Sequence, residues 1–300
     1  MAIETEPLAS SETEERDQGQ YLDPETLKPE DLERVLKEGQ VINIRPIEIG
    51  PQTVPPHADR VLLGDIDQYA PKHKDIVEMA EIEIPEKGQK ILVVYKPDSG
   101  VNQGPMQGEP LALPENSSPY SHKEVAAWKI TSVLGITSLP VVLREDLPEG
   151  KGSLRPYIWG EPLELLSSTL KDKALGQRKD VENIAVFDYL LQTLDRRESN
   201  LLWTNKENLV PIDNSLTFFD EVFALQFHVK GPRWNMAFDT ESKVIRLKHR
   251  PLPERITSNL QRFLDQEQDC REELSGILTE EEISGIFERT RAVLEAGTFL

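Results

Sequence analysis

Asp195, Asn200 and Asp213 are residues of the types, and at the intervals, from which phosphoryl transfer is built. Asp195 opens the run Asp195-Arg196-Arg197-Glu198-Ser199-Asn200, and a short apolar stretch then leads into Ile212-Asp213-Asn214-Ser215. Moving a phosphoryl group requires positioning and charge neutralisation more than covalent help, so hard oxygen ligands must converge on Mg ions that bridge the phosphates. An Asn carbonyl and an Asp carboxylate are such ligands, and an Asp five positions before the Asn can orient the accepting hydroxyl. The catalytic loop H-R-D-x-x-x-x-N has the same step from Asp to Asn, although here no His-Arg precedes Asp195. Residues 201–204 and 209–212 read as two short strands around the turn Asn205-Lys206-Glu207-Asn208. Such a hairpin returns Asn200 to the side of Asp213. Asp and Asn are also common in loops and caps for purely structural reasons, so the rest of the chain has to supply the remaining parts.

Those parts must sit on elements that converge. Ile91-Leu92-Val93-Val94-Tyr95-Lys96 is a β-branched-rich run ending in a lysine, the pattern of a strand whose Lys grips the α and β phosphates. Residues 121–134 form a helix with Val125, Ala126, Ile130, Val133 and Leu134 on one face, and this helix carries Glu124. A strand lysine paired with a helix glutamate is the other half of a phosphate-gripping constellation. Taken singly, Glu124 reads as a first-turn acid complementing the helix dipole. Further strands are expected at 41–49, 60–65, 139–143 and 154–158, and a short helix at 31–37 stopped by Gly39. The 180–194 helix, with Val181, Ile184, Ala185, Phe187, Leu191 and Leu194 inward, delivers Asp195 to the cleft. The 100–119 stretch, rich in Gly and Pro, is a long irregular loop placed to cover a nucleotide. Thr279-Glu280-Glu281-Glu282 is a capping box opening a last helix to about residue 295.

These motifs in this order resemble the bacterial phosphatidylinositol 3-/4-kinase-related proteins. The resemblance runs over Tyr95-Lys96-Pro97, 123–128, Leu139-Pro140-Val141-Val142-Leu143-Arg144, Phe187-Asp188-Tyr189-Leu190, 195–200 and 212–214, roughly from residue 42 to 219. It implies an α+β, two-lobed protein-kinase-like fold with a β-rich N-lobe and a mainly helical C-lobe. It also implies that Lys96 contacts ATP phosphates, Glu124 orients Lys96, Asn200 and Asp213 bind Mg, and Asp195 is the catalytic acid. Residues 155–159 would be the hinge that reads adenine through its backbone, which puts Arg155, Tyr157 and Ile158 among the ATP contacts. Two departures stand out. The family loop usually reads D-R-H-x-x-N, whereas this chain has Arg197, which stays protonated and cannot act as a base. Ser215 stands where Gly is more usual, and only Gly enters positive φ at little cost. No G-x-G-x-x-G precedes Lys96. The reading is therefore an ATP- and Mg-dependent phosphotransferase, with a nucleotide-binding pseudokinase as its alternative.

Composition narrows the partners. Three hundred residues allow two lobes around a cleft. Residues 1–20 are acidic and nearly devoid of aliphatics, a disordered tail without signal-peptide features. The lobes then span 21–160 and 161–300, the latter with the C-terminal helices. A net charge of -19 disfavours nucleic acid and anionic membranes. Where lipid kinases of the family place basic residues after the metal-binding Asp, this chain has Phe218-Phe219-Asp220-Glu221, so a protein or small-molecule acceptor is expected rather than a lipid. The 243–250 basic cluster reads as a solvated segment or an anion site. No apolar run reaches membrane-spanning length, and the single cysteine, Cys270, excludes an intramolecular disulfide and reads as inert. Cytoplasmic location is the expectation. The five histidines lack metal-ligand spacing, and neither a nucleophile elbow, a paired CxxC nor an internal repeat is present.

Overall fold

The computed structural model describes residues 21–46, 78–84, 88–98, 117–136, 138–193, 196, 198–218, 247 and 249–299. The expected strand at 60–65, the 1–20 tail, most of the 100–119 loop and most of the 243–250 cluster lie outside these residues.

Five antiparallel strands form the first sheet: β1 (Val41–Pro46), β2 (Glu78–Ile84), β3 (Gln89–Pro97), β4 (Val142–Leu147) and β5 (Gly150–Pro156), in the order β1-β2-β3-β5-β4. β3 reads as a continuous apolar run because both its faces are covered. Ile91, Val93 and Tyr95 point to one face, under Leu32 and Leu36 of helix α1 (Pro29–Glu38). Leu92 and Val94 point to the other, against Met79 and Tyr157, and by the period of two Lys96 shares that second face.

β2 was not anticipated, since Glu-Met-Ala-Glu-Ile-Glu-Ile is nearly half acidic. Its Glu81 is accommodated because Tyr21 Oη, Asn43 Nδ2 and Lys90 Nζ donate to the carboxylate at 2.7, 3.0 and 2.8 Å. The strands expected at 139–143 and 154–158 are displaced. β4 begins at Val142, and β5 reaches back through Gly150-Lys151-Gly152, which carry little apolar signal but pair Gly150 with Leu147.

Helix α2 (Tyr120–Leu134) lies between this sheet and the helical half. An apolar stripe was expected, yet the helix is buried on nearly every side. Ala126, Ala127, Ile130 and Leu134 enter the helical core, while Val125 and Trp128 pack on Val141. Its C-terminus turns through Gly135 at φ 68°, the left-handed cap that favours glycine. Asn259 Nδ2 and Arg262 Nη2 of helix α5 (Glu254–Asp265) donate to the Leu134 and Val133 carbonyls at 2.6 and 3.0 Å.

The second half holds a small sheet of β6 (Gly160–Pro162), β7 (Leu201–Thr204) and β8 (Leu209–Pro211). Its helices are α3 (Ser168–Leu175), α4 (Arg178–Leu191), α5, α6 (Glu267–Leu274) and α7 (Glu280–Ala296). Phe187, Leu190, Leu201, Ile286 and Phe287 centre their common core, with the Phe263 and Phe287 rings stacked at 4.8 Å. α4 stops three residues short of the expected 194 because Gln192 takes the left-handed conformation, φ 52°. Cys270 is a buried free thiol, pushed up by its burial. The whole is a two-lobed, protein-kinase-like α+β fold, a β-rich lobe joined to a mainly helical one.

Candidate active site

Three elements converge on the Lys96 amine. It donates to Glu124 Oε1 from α2 at 3.0 Å and to Asp213 Oδ1, two residues beyond β8, at 2.8 Å. The Lys96 and Glu124 side chains are 13% and 4% exposed, whereas Asp213 keeps 40% of its surface open to the cleft. Ser153 sits opposite Lys96 in the β3–β5 register, and its Oγ donates to Glu124 Oε2 at 2.9 Å. Both oxygens of Glu124 are thereby engaged. The preceding residue on β5, Gly152, has no room for a side chain. A Cβ at 152 would stand 2.3 Å from the Lys96 carbonyl oxygen and would part the strands at the lysine.

Burial alone would lower the Lys96 amine, but the Asp213 and Glu124 carboxylates outweigh it and hold it above the usual lysine value. For Asp213 burial would raise the carboxyl, and here Lys96 together with the Ser215 hydroxyl, 2.8 Å away, holds it well below the ordinary range. Both groups are charged at neutral pH. Asp213 adopts a left-handed backbone, φ 55°, which Asp and Asn tolerate better than most residues. Strain had been expected at Ser215. Positive φ falls instead on Asp213 and Phe218, and Ser215 serves as a hydrogen-bond donor to the carboxylate.

The β7–β8 hairpin forms as its turn composition suggests, and Ile212 N–H donates to the Asn200 carbonyl at 3.0 Å, which sets Asn200 beside the Asp213 segment. What fixes this junction is Arg196, which sequence reasoning passed over. Its guanidinium is fully buried against the equally buried Asp188 of α4, with Nε and Nη2 donating to that carboxylate at 3.0–3.1 Å. The same group donates to the Asn200 carbonyl (3.2 Å), the Ile212 carbonyl (2.7 Å) and Asn214 Oδ1 (2.5 Å). The legible signal was Asp188 itself, an acid within the apolar stretch Phe187-Asp188-Tyr189-Leu190. Asp195, the expected catalytic acid, and Arg197 lie outside the described residues.

The expected hinge, residues 155–159, leads out of the end of β5. The Tyr157 N–H is taken up by the Leu92 carbonyl at 2.8 Å, so it does not face a base. The Tyr157 ring packs with Met79, Leu92 and Val94 and meets Trp159 edge-on at 5.0 Å. Ile158 packs on Leu202, Val210 and Ile212 and lines a recess together with Glu124, Leu139, Arg155 and Asp213. Arg155 lies opposite Val94, and its Nε is buried without a hydrogen-bond partner among the described residues.

Among the described residues no group of three or more His, Cys, Asp or Glu could hold a metal. One ionised carboxylate and one amide carbonyl nevertheless suit Mg, which retains waters and takes its remaining oxygens from substrate phosphates. Lys96 and Ser215 both engage Oδ1 of Asp213, so the donor set fits that ion.

Residues 178–273, from the start of α4 to the end of α6, match the phosphatidylinositol 3- and 4-kinase family. The matched segment includes Asp188, Arg196, Asn200 and Asp213. No curated protein matches the sequence. Among solved structures, the Helicobacter pylori proinflammatory kinase CtkA aligns at 12% identity with a TM-score of 0.38, covering 74% of this chain and 91% of that one. Among the described residues no helix is long and apolar enough to cross a membrane.

Proposed function

We propose that the protein is an ATP- and Mg-dependent phosphotransferase whose lobes divide near residue 160, acting in the cytoplasm on a protein or small molecule rather than a lipid or nucleic acid. The observation that carries this reading is the Lys96 amine held between Glu124 and Asp213, at 3.0 and 2.8 Å. In this arrangement Glu124, itself held by Ser153, keeps the amine pointed into the cleft, where it binds phosphate oxygens. Asn200 and Asp213 would hold Mg, which would supply positive charge to offset that of the phosphates. Arg196 keeps those two ligands in register by gripping the backbone at both Asn200 and Ile212. Arg155 places a second cation beside Asp213 and Lys96. Asp195 accepts the proton of the attacking hydroxyl, a role Arg197 cannot fill because its guanidinium stays protonated.

The same cleft suits a pseudokinase that binds nucleotide without turnover, a reading favoured by Arg197. Melting temperature in the presence of ATP, with and without Mg, tests the common part. Ligand at 100 times its Kd adds about 2.7 kcal/mol to the native state. A Mg-dependent rise that Asp213→Ala abolishes supports the cleft, and no rise in the parent overturns it. Asp195→Ala then separates the two readings. Loss of phosphate transfer with ATP binding retained supports the enzyme, and equal residual activity in variant and parent refutes it.

A further inference from the structure

Lys123 precedes Glu124 on α2 and is fully buried, yet nothing in the proposed reaction uses it. Its Nζ donates to the Thr217 carbonyl at 2.9 Å and lies 3.5 Å from Glu282 Oε1 in the first turn of α7. Thr217 is four residues past Asp213, and its own hydroxyl donates to the Asn214 carbonyl at 2.9 Å. Glu282 is the hub on the other side. Its Oε1 accepts from Ser117 Oγ and Ser118 N–H, each at 3.2 Å, and its Oε2 from Ser118 Oγ at 2.5 Å. Oε2 also accepts from the Thr279 N–H at 3.0 Å, closing the capping box of α7. One carboxylate thus joins the entry to α2, the start of α7 and the Lys123 amine. Glu282 lies beyond the 178–273 segment that matches the kinase family.

Consecutive helical residues diverge by about 100° around the axis, so Lys123 and Glu124 address different neighbours from one rigid cylinder. Anchoring Lys123 fixes the rotation of α2, and with it the direction of Glu124. A buried lysine is a poor device for stability, because apolar residues of similar volume often serve as well or better. Its donors are instead directional, and they point to the Asp213 segment and to α7. We propose that Lys123 is a positioning residue: with Glu282 it forms a latch through which the C-terminal helix sets the rotation of α2 and holds Glu124 on Lys96. This rests on the reading of Lys96 as the phosphate-binding amine.

The latch has a distinctive pH dependence. Burial pushes the Lys123 amine down to about 8, against the upward pull of Glu282. Glu282 is the charged group facing it from α7, and the Thr217 segment presents a carbonyl. On α2 itself His122 turns to the Ile277 carbonyl, and Glu124 turns to Lys96 and Ser153. A lysine whose native value lies below its unfolded one, about 10.4, sheds its proton first in the native state. From this group, global stability therefore rises rather than falls between about pH 8 and 10. The charge that holds Glu282 is lost over the same range. A positioning role predicts weaker phosphate binding above pH 8 without a lower melting temperature, which a merely structural role does not.

The test is Mg-ATP affinity by calorimetry, with melting temperatures, at pH 7 and pH 9 for the full chain, Lys123→Met and Glu282→Gln. In the parent, affinity should drop severalfold from pH 7 to pH 9. Lys123→Met should bind about tenfold more weakly at pH 7, the scale of one hydrogen bond to a charged group, and show no such drop. If Lys123→Met does not fold, Glu282→Gln carries the same expectation. Parent-like affinity in both variants, or the same pH drop in parent and variant, overturns the latch and leaves the phosphotransferase reading standing. No Mg-ATP binding by the parent at either pH overturns both.

Discussion

Replacing Arg196 by methionine should be among the most damaging single changes in the helical lobe, and its size can be worked from the geometry. Arg196 and Asp188 have no exposed side-chain surface, and the guanidinium reaches Asp188, Asn214 and the carbonyls of Asn200 and Ile212. Methionine fills much of the volume but leaves Asp188 buried without its counter-ion. Breaking a buried pair by removing one partner costs about 3–5 kcal/mol. At 2–4 °C per kcal/mol for a domain of this scale, the melting temperature should fall on the order of 10 °C. Burial already pushes the Asp188 carboxyl up against the pull of Arg196, and in the variant only the upward push remains. A carboxyl raised above its unfolded value of about 3.9 contributes stability at low pH and loses it as pH rises through the native value, so the deficit should widen from pH 5 to pH 8. Thermal melts of the parent, Arg196→Met and Asp188→Leu/Arg196→Met across that range decide the matter. The double variant should recover much of the loss, since a pair replaced by apolar residues is often neutral. A single variant melting within about 2 °C of the parent, or a double variant that melts no higher than Arg196→Met, would refute the reasoning.

Three further outcomes are expected. Gly152→Ala should cost about 1–3 kcal/mol in denaturant unfolding, because its Cβ would stand 2.3 Å from the Lys96 carbonyl oxygen, and Mg-ATP affinity should weaken with it. Asp213 and Glu282 are both held below their ordinary values, by Lys96 and Ser215 in one case and chiefly by Ser118 and Thr279 in the other. Their contribution is therefore present above about pH 4 and lost as pH falls through the native values, so melts from pH 7 to pH 3 should decline in the parent and less steeply in Asp213→Asn. Thr279→Ala removes the hydroxyl that caps α7 at the Glu282 N–H, 3.2 Å away, and should cost about 1 kcal/mol.

Much of the site's chemistry was written in local sequence. The apolar run of β3 ending in Lys96, the turn between β7 and β8, and the capping box at Thr279 each depend on residues a few positions apart. Local pattern therefore singled out Lys96, Asn200 and Asp213, of which the structure joins Lys96 to Asp213 at 2.8 Å. The same logic failed at β2, where buried Glu81 is satisfied by Tyr21, Asn43 and Lys90, which arrive from elsewhere in the chain. Nor could a local window show that the Tyr157 N–H goes to a carbonyl of β3.

Sequence alone determined which side chains could grip phosphate and metal, because acid, amide and amine chemistry belongs to the residue whatever surrounds it. Tertiary structure alone decided that Lys96 meets Glu124 and Asp213 at once, that Arg196 holds the Asn200 and Ile212 backbone in register, and that Lys123 is tied to α7. Those outcomes depend on partners far apart in the chain, up to 165 positions between Ser117 and Glu282. A buried charge is tolerated only where such partners converge, and no local window of sequence records that convergence.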